Sequence, residues 1–424
     1  MLRSRLRVIR TSALVGLAVL LITGLTISSA IGESAVNLLD INEVTAADLR
    51  VPQDYPTIQA AIDAAQSGDR ILVSSGTYSQ TLQIAGKSIT LASEFHTTGD
   101  EAFVDSTIIV GGIAVDNSSA GTKIIGFTIQ QGEDGIIPRS PIEVRHNRIR
   151  WNTDGIDFEG GNGSIVENNI FEENNDDGID LDRATAATIR FNTVRNNGSD
   201  GLEMRIHHYS GASPLDIIIS ENTIVGNGDD GIQIIEDLLP SETTNRLYVI
   251  EKNLIANNGA AGLGFLDQGV TNQDFRASKA PDPVYFVNNT VVGNDHGISG
   301  SASPLVAVNN LIVDHINLGL KKVDADSHAA YNLFWNNGTD YEDSNVDLTT
   351  SVFSDPLLNG DFTLLPGSPA IDAGAAYFEW LGEVIVDLPG SAYAGAAPDL
   401  GWHESDFGEP TQTPTPSSTP TPSS

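Results

Sequence analysis

The sequence calls for an all-β solenoid, a single-stranded parallel β-helix closed at its start by a short capping helix, and three observations point there. The first is a recurring phrase: an Asn, one residue, an aliphatic, a short polar run, then Gly-Ile or Gly-Leu. Its glycines fall at Gly135, Gly155, Gly178, Gly201, Gly231, Gly262, Gly297 and Gly319, at intervals of 20, 23, 23, 30, 31, 35 and 22 residues. Self-similarity at that period signals stacked repeats. The second is the alternation of aliphatic and polar residues in short segments such as Gly178-Ile179-Asp180-Leu181, the period of a strand with one face buried. The third is a single helical pattern ahead of the strands, where a solenoid must cover the open cross-section of its first coil.

Taken in order, the chain begins with Arg3, Arg5, Arg7 and Arg10, an apolar run from Ala13 to Ile27, and Ser28-Ser29-Ala30, the parts of an export signal with a small-residue cleavage site. Residues 1–30 are expected to be cleaved or kept as an N-terminal anchor, since Ser12 to Ile31 approaches the ~20 residues that span a bilayer. Residues 31–50 read as a linker, 51–402 as the β-helix with its caps, and 403–424 as a Thr/Pro/Ser-rich tail that cannot pack a core. The expected location is secreted or at the cell surface. There is no Cys, which excludes thiol chemistry and leaves stability to stacked coils. Setting aside the four presequence arginines leaves 18 Lys and Arg against 56 Asp and Glu, a formal charge of −38 where the whole chain has −34. Such a surface repels nucleic acid and anionic lipid. No nucleic-acid partner is expected, membrane contact is expected only through the N-terminal segment, and a monomer is expected.

In the opening segment Val51 to Ser93, Ile58, Ala61, Ile62 and Ala65 share one helical face that Gly68 ends, which gives the capping helix. Strands follow at Ile71-Leu72-Val73, Leu82-Gln83-Ile84 and Ser88-Ile89-Thr90-Leu91. From Lys123 each coil is expected to offer two short strands, one of them running from Ile124 to Ile129, with equivalent strands of neighbouring coils paired in parallel. Asn147, Asn168, Asn192, Asn222, Asn253, Asn289, Asn310 and Asn332 should stack as a ladder at one turn, each bonding the next coil's backbone and tolerating a left-handed corner. The longer intervals gain their residues after the Gly-Ile strand, in Arg205 to Pro214, Glu236 to Arg246 and Asp267 to Pro283, so the insertions should project from one face. Beyond Asn332 the period fades into a closing cap.

Inward Ile156, Phe158, Ile179, Leu181, Leu202 and Met204 leave Asp157, Glu159, Asp180, Asp182, Glu203 and Arg205 pointing outward. Two columns of acids result. With rungs ~4.8 Å apart, like charges at ~5 Å repel by about 3 kcal/mol at an effective dielectric of 20. Three forms of compensation are open: a bound cation such as calcium, held by Asp157, Asp180 and Glu203; a proton retained through a raised pKa; or solvent screening, with Arg205 paired to Asp182 or Glu203. Asp180 is also placed to act as an acid or base. Asp157, Asp182, Glu203, Arg205 and the loop residue His207 are the expected substrate-binding groups. Asp295-His296 and Asp314-His315 lack the third partner that would define a metal site.

Tyr55-Pro56-Thr57-Ile58-Gln59-Ala60-Ala61-Ile62, Gly68-Asp69-Arg70-Ile71-Leu72-Val73, Gly76-Thr77-Tyr78 and the coil repeats resemble exported proteins of the pectin-lyase-like superfamily. That resemblance implies a right-handed single-stranded parallel β-helix and a polysaccharide-associated setting. The segment from Asp355-Pro356 to Gly401 is similar to bacterial surface β-helix proteins with a choice-of-anchor type C-terminus. Asn152-Thr153-Asp154-Gly155-Ile156-Asp157 and Asp176-Asp177 resemble the signature and paired acids of polygalacturonase-type glycosidases, which would make Asp154, Asp176 and Asp177 acid and base residues. The Gly-His-Gly coil of that family is Ser199-Asp200-Gly201 here, and Arg205-Ile206-His207 echoes its basic segment. The arginines around Arg139 and Arg145 miss pectate-lyase spacing by one residue. The function expected is binding or processing of a polysaccharide, with hydrolysis of acidic glycans as the reaction to test. The alternative is a non-catalytic adhesin or structural protein of the cell surface.

Overall fold

The computed structural model describes residues 48–267 and 280–407; the export signal, nearly all of the linker, most of the tail and part of the third insertion lie outside them. Three parallel sheets organise the described chain. A first sheet of 12 strands runs from Asp48–Val51 to His328–Ala330, a second of 12 from Gly76–Ser79 to Val352–Phe353, and a third of 11 from Leu82–Ile84 to Thr339–Glu342. Each strand pairs with its equivalent one coil away, as Ile156 does with Ile179 and Ile179 with Leu202. The buried aliphatics of all three sheets merge into one core.

Each coil therefore carries three strands where two were expected. The run from Ile124 to Ile129 divides into Thr122–Ile125 in the first sheet and Thr128–Gln130 in the second, turning at Gly126 with φ 81°. Ile124 and Phe127 are both fully buried, so a corner of two residues turns the chain while the apolar pattern continues through it.

That corner holds the asparagine ladder, with one member corrected: it is Asn169, buried, that stacks, and Asn168 beside it is exposed. The backbone N–H of Asn147 donates to Asn169 Oδ1 at 2.9 Å, that of Asn169 to Asn192 Oδ1 at 3.0 Å, and the series continues to Asn332. The left-handed conformation falls one residue earlier than expected on His146, Phe191 and Tyr331 at φ 52–57°, while Asn168 adopts it as expected at φ 57°. The corner residue swings outward so that the next side chain can aim its amide into the stack. A second ladder, not foreseen, joins Asn152, Asn174, Asn197, Asn227, Asn258 and Asn294 at the corner between the second and third sheets. The same corner explains the repeating glycine: a Cβ on Gly155 would lie 2.3 Å from Gly178 O and 2.7 Å from Phe171 Cδ1.

Helix α1, Ile58–Ala64, buries Ile58, Ala61 and Ile62, and its N-cap Thr57 accepts the Ala60 N–H. Two short helices not anticipated, α2 (Phe95–Thr98) and α3 (Ala102–Ser106), pack Phe95 and Val104 against Ala92 and Ile125 on the outer face of the first sheet. Towards the C-terminus Leu364, Ala370 and Leu400 cover Leu254, Val292, Leu311 and Leu333 on the outside of the second sheet. The antiparallel hairpin Tyr377–Trp380 and Glu383–Asp387 sets Ile385 and Val386 against Val287, Val306 and Val308 of the first sheet. The insertions leave the third-sheet strands Leu202–Ile206, Ile232–Glu236 and Ala261–Asp267 at one corner.

Candidate functional site

The outer face of the third sheet gathers the acids. Asp157, Asp180 and Glu203 are direct register partners on consecutive strands, held outward because Ile156, Phe158, Ile179 and Leu202 fill the core. Carboxylate oxygens of Asp157, Asp180 and Asp182 lie within 4.8 Å of one another, and so do those of Asp177, Asp180 and Glu203. The expected trio of Asp157, Asp180 and Glu203 thus divides between two groups that share Asp180. Arg205 reaches both partners considered for it, with an amino group 2.7 Å from Glu203 and its Nε 3.7 Å from Asp182. His207 lies between Asp182 at 3.6 Å and Asp237 at 3.7 Å, while His208 accepts the Thr243 N–H.

Beside this face runs a ladder of aspartates. The backbone N–H of Asp154 donates to Asp134 Oδ1, that of Asp177 to Asp154 at 2.9 Å, that of Asp200 to Asp177 at 2.7 Å and that of Asp230 to Asp200 at 2.6 Å. Asp154 and Asp177 therefore hold coils together as well as bordering the acidic face. Asp134, Asp200 and Asp230 were not singled out, although an Asp precedes the repeat glycine in five successive coils. The paired acids diverge: Asp177 is buried in the ladder, and Asp176 is exposed.

Burial and mutual repulsion act together on these groups. Desolvation first, then the neighbouring carboxylates, pushes Asp157 up to about 6, Asp154 to about 7, Asp177 to about 8 and Asp180 to about 10. Glu203 is raised by burial against the opposing pull of Arg205, and Asp200 is raised by burial and by Asp230. One oxygen each of Asp157, Asp180 and Asp182 is buried without a hydrogen-bond partner among the described residues. An all-oxygen donor set with unmatched lone pairs suits a hard divalent cation. Carboxyls that keep a proton near neutrality suit general-acid chemistry. On later coils His296 sits 3.2 Å from Asp295, and His315 is fully enclosed in the second asparagine ladder. The structure does not bring either into the acidic face.

The three sheets and the single wound core define a right-handed parallel β-helix of the pectin-lyase-like fold. Among solved structures the chain is similar to pectate lyase Pel9A, at 17% identity with a TM-score of 0.53, covering 85% of this chain and 96% of that one. It is also similar to the A-module of the Azotobacter vinelandii mannuronan C-5 epimerase AlgE6, at 14% identity, a TM-score of 0.46, and coverage of 70% and 94%. A family described as periplasmic copper-binding protein (NosD) matches residues 93–276, the coil repeats. No curated protein matches the chain. No helix among the described residues is long and apolar enough to cross a membrane.

Proposed function

We propose that this chain is an exported protein that binds an acidic polysaccharide through calcium held on the third sheet by Asp177, Asp180 and Glu203 or by Asp157, Asp180 and Asp182. The observation that carries the reading is the pair of three-carboxylate groups within 4.8 Å, with buried oxygens on Asp157 and Asp180 that accept no hydrogen bond among the described residues. Calcium bound there relieves the repulsion and accepts further oxygen ligands, which a sugar carboxylate can supply. Arg205 and His207 at the rim are placed to orient that carboxylate. The likeness to a pectate lyase agrees with an acidic glycan, and the periplasmic setting of the NosD family agrees with export. Copper agrees less well, because the donors are carboxylates with one bordering His, and copper sites favour nitrogen and sulfur.

A second reading, hydrolysis, is favoured by Asp154 at about 7 and Asp157 at about 6. A carboxyl protonated near neutral pH can donate to a leaving oxygen while an ionised neighbour supports the sugar cation. The two readings exclude each other at one site, since a bound dication would pull those pKa values down. Polygalacturonate binding and reducing-end release are therefore measured with calcium and with chelator. A calcium-dependent gain in retention over that in chelator, which Asp180→Asn abolishes, supports the first reading. Reducing ends released in chelator replace it with the second, and the absence of both a calcium-dependent gain and reducing ends removes both readings in favour of a surface adhesin.

A further inference from the structure

Outside the acidic face the second sheet presents a surface of different character, with arginines and carboxylates interleaved. Its outer face is covered at both ends. Near the start Thr128 donates to Val104 O of α3, and further on Leu364, Ala370 and Leu400 lie over Leu254 and its stacked neighbours. The strands Arg148–Arg150, Ile170–Glu172 and Thr193–Arg195 lie between these covers. This open floor is three rungs long, about 10 Å along the axis at ~4.8 Å per rung, and Val225 of the next strand already packs against the C-terminal cover. A groove of about 510 Å³ runs beside it, between Asp105 of α3 and the side chains of Arg148, Ile170, Phe191 and Thr193.

This floor brings guanidinium groups and exposed rings together. Arg148, Arg150 and Arg195 face outward with Glu172 between them, while Asp105 of α3 pairs with Arg148 at 2.8 Å and Glu173 accepts from Trp151 Nε1 at 2.7 Å. Glu172 takes hydrogen bonds from Arg195 at 2.6 and 3.0 Å. Arg150 makes one side-chain hydrogen bond, to Gln130, and no ion pair among the described residues. Its guanidinium lies 4.0 Å from the ring centroid of Trp151, which is 41% exposed at one edge of the sheet, while Phe191 is 46% exposed at the other. Exposed rings beside arginines supply flat apolar faces together with donors shaped for carboxylates.

We infer that this floor, with Arg150, Arg195, Trp151 and Phe191, is a second, cation-independent binding surface for an acidic polysaccharide chain lying along the solenoid axis. It is separate from the third-sheet site and does not depend on it. The sugar carboxylates meet the guanidinium groups directly, and the C–H faces of the sugar rings cover Trp151 and Phe191. Both covers leave the floor recessed, which suits a single polymer strand better than a membrane plane.

Affinity electrophoresis of the protein in polygalacturonate gels containing chelator tests this. Wild type is expected to be retarded, and the double variant Arg150→Gln with Trp151→Ala to lose at least tenfold in affinity, with Asp180→Asn retarded as wild type is. Arg195→Gln serves as an independent variant, and unchanged melting temperatures exclude unfolding. Absence of retardation in chelator, equal retardation of the variants, equal retardation in neutral dextran, or chelator-resistant binding to anionic vesicles in place of polygalacturonate would each overturn the inference.

Discussion

Two ladders in this solenoid connect coil to coil by the same kind of bond and differ in one atom per side chain. In the asparagine ladder each Oδ1 accepts a backbone N–H from the preceding coil while Nδ2 donates to a carbonyl, as Asn222 does to Ile189 O at 2.9 Å. Every polar atom is matched and no charge is enclosed. In the aspartate ladder Oδ1 again accepts a backbone N–H, here from the following coil, but the second oxygen has nothing to donate. The amide version is a stability device. The carboxylate version holds the coils equally well and stores negative charge next to the acidic face, which costs stability until a proton or cation arrives.

The comparison breaks most sharply if the atoms are exchanged. Asn222→Asp keeps the acceptor for Asn192 but turns an oxygen towards Ile189 O and Asn253 Oδ1, the two acceptors to which Asn222 Nδ2 donates at 2.9 and 3.0 Å. Asn222 is fully buried, and leaving an unpaired charge and orphaned acceptors there should cost about 3–5 kcal/mol. Denaturant unfolding at pH 8 checks this. A loss under about 1 kcal/mol would show that the amide donors are dispensable and that the two ladders are equivalent.

The reverse exchange is smaller and depends on pH. Asp154, Asp157 and Asp177 have folded values of about 7, 6 and 8, above the ordinary 3.8. The folded chain therefore binds more protons than the unfolded chain between these limits. Its stability contribution from these groups is full below about pH 4 and is lost as pH rises through 6 to 8. In chelator the melting temperature should fall by roughly 5 °C between pH 5 and 8.5, in a range where ordinary surface carboxylates are already ionised. Asp154→Asn should recover roughly 2–4 °C at pH 8.5 and nothing at pH 5. Calcium should restore wild type at pH 8.5 more than at pH 5. A melting temperature that stays level or rises across the range would mean these carboxyls are solvated and carry no stored charge.

Much of this was readable in the chain. The glycine period gave the coil, because only glycine allows the approach seen at Gly155, and alternation gave the inward and outward faces of Ile156 to Met204. The third strand per coil was not readable, since a two-residue corner leaves no gap in the apolar pattern. One residue also separates Asn168 from Asn169, and adjacent asparagines do not announce which one turns inward. The divergence of Asp176 and Asp177 is the same problem: identical residues, with backbone direction alone deciding which is buried. The aspartate ladder did leave a signal, the Asp before each glycine from Asp134 to Asp230, of which only Asp154 and Asp177 also fall in the stretches that resemble a glycosidase signature.

The second asparagine ladder offers the finest test, because one position breaks it naturally. His315 stands where the repeat has Asn; it is fully buried, burial pushes its pKa down to about 3, and its Nε2 has no hydrogen-bond partner among the described residues. The ladder bonds that Asn227 and Asn258 make through their backbone N–H groups, at 3.0 and 2.8 Å, have no counterpart from Asn294 to this ring. His315→Asn would supply that acceptor. The gain of about 1 kcal/mol per restored bond is opposed by the space the ring vacates beside Gly297, which its Nε2 crowds to 2.9 Å of a would-be Cβ, at ~24 cal/mol per Å³ of residual cavity. With the hydrogen bonds dominant the melting temperature rises by about 2 °C. A fall instead would mean that packing, and not bond matching, sets the stability of the ladder at its far end.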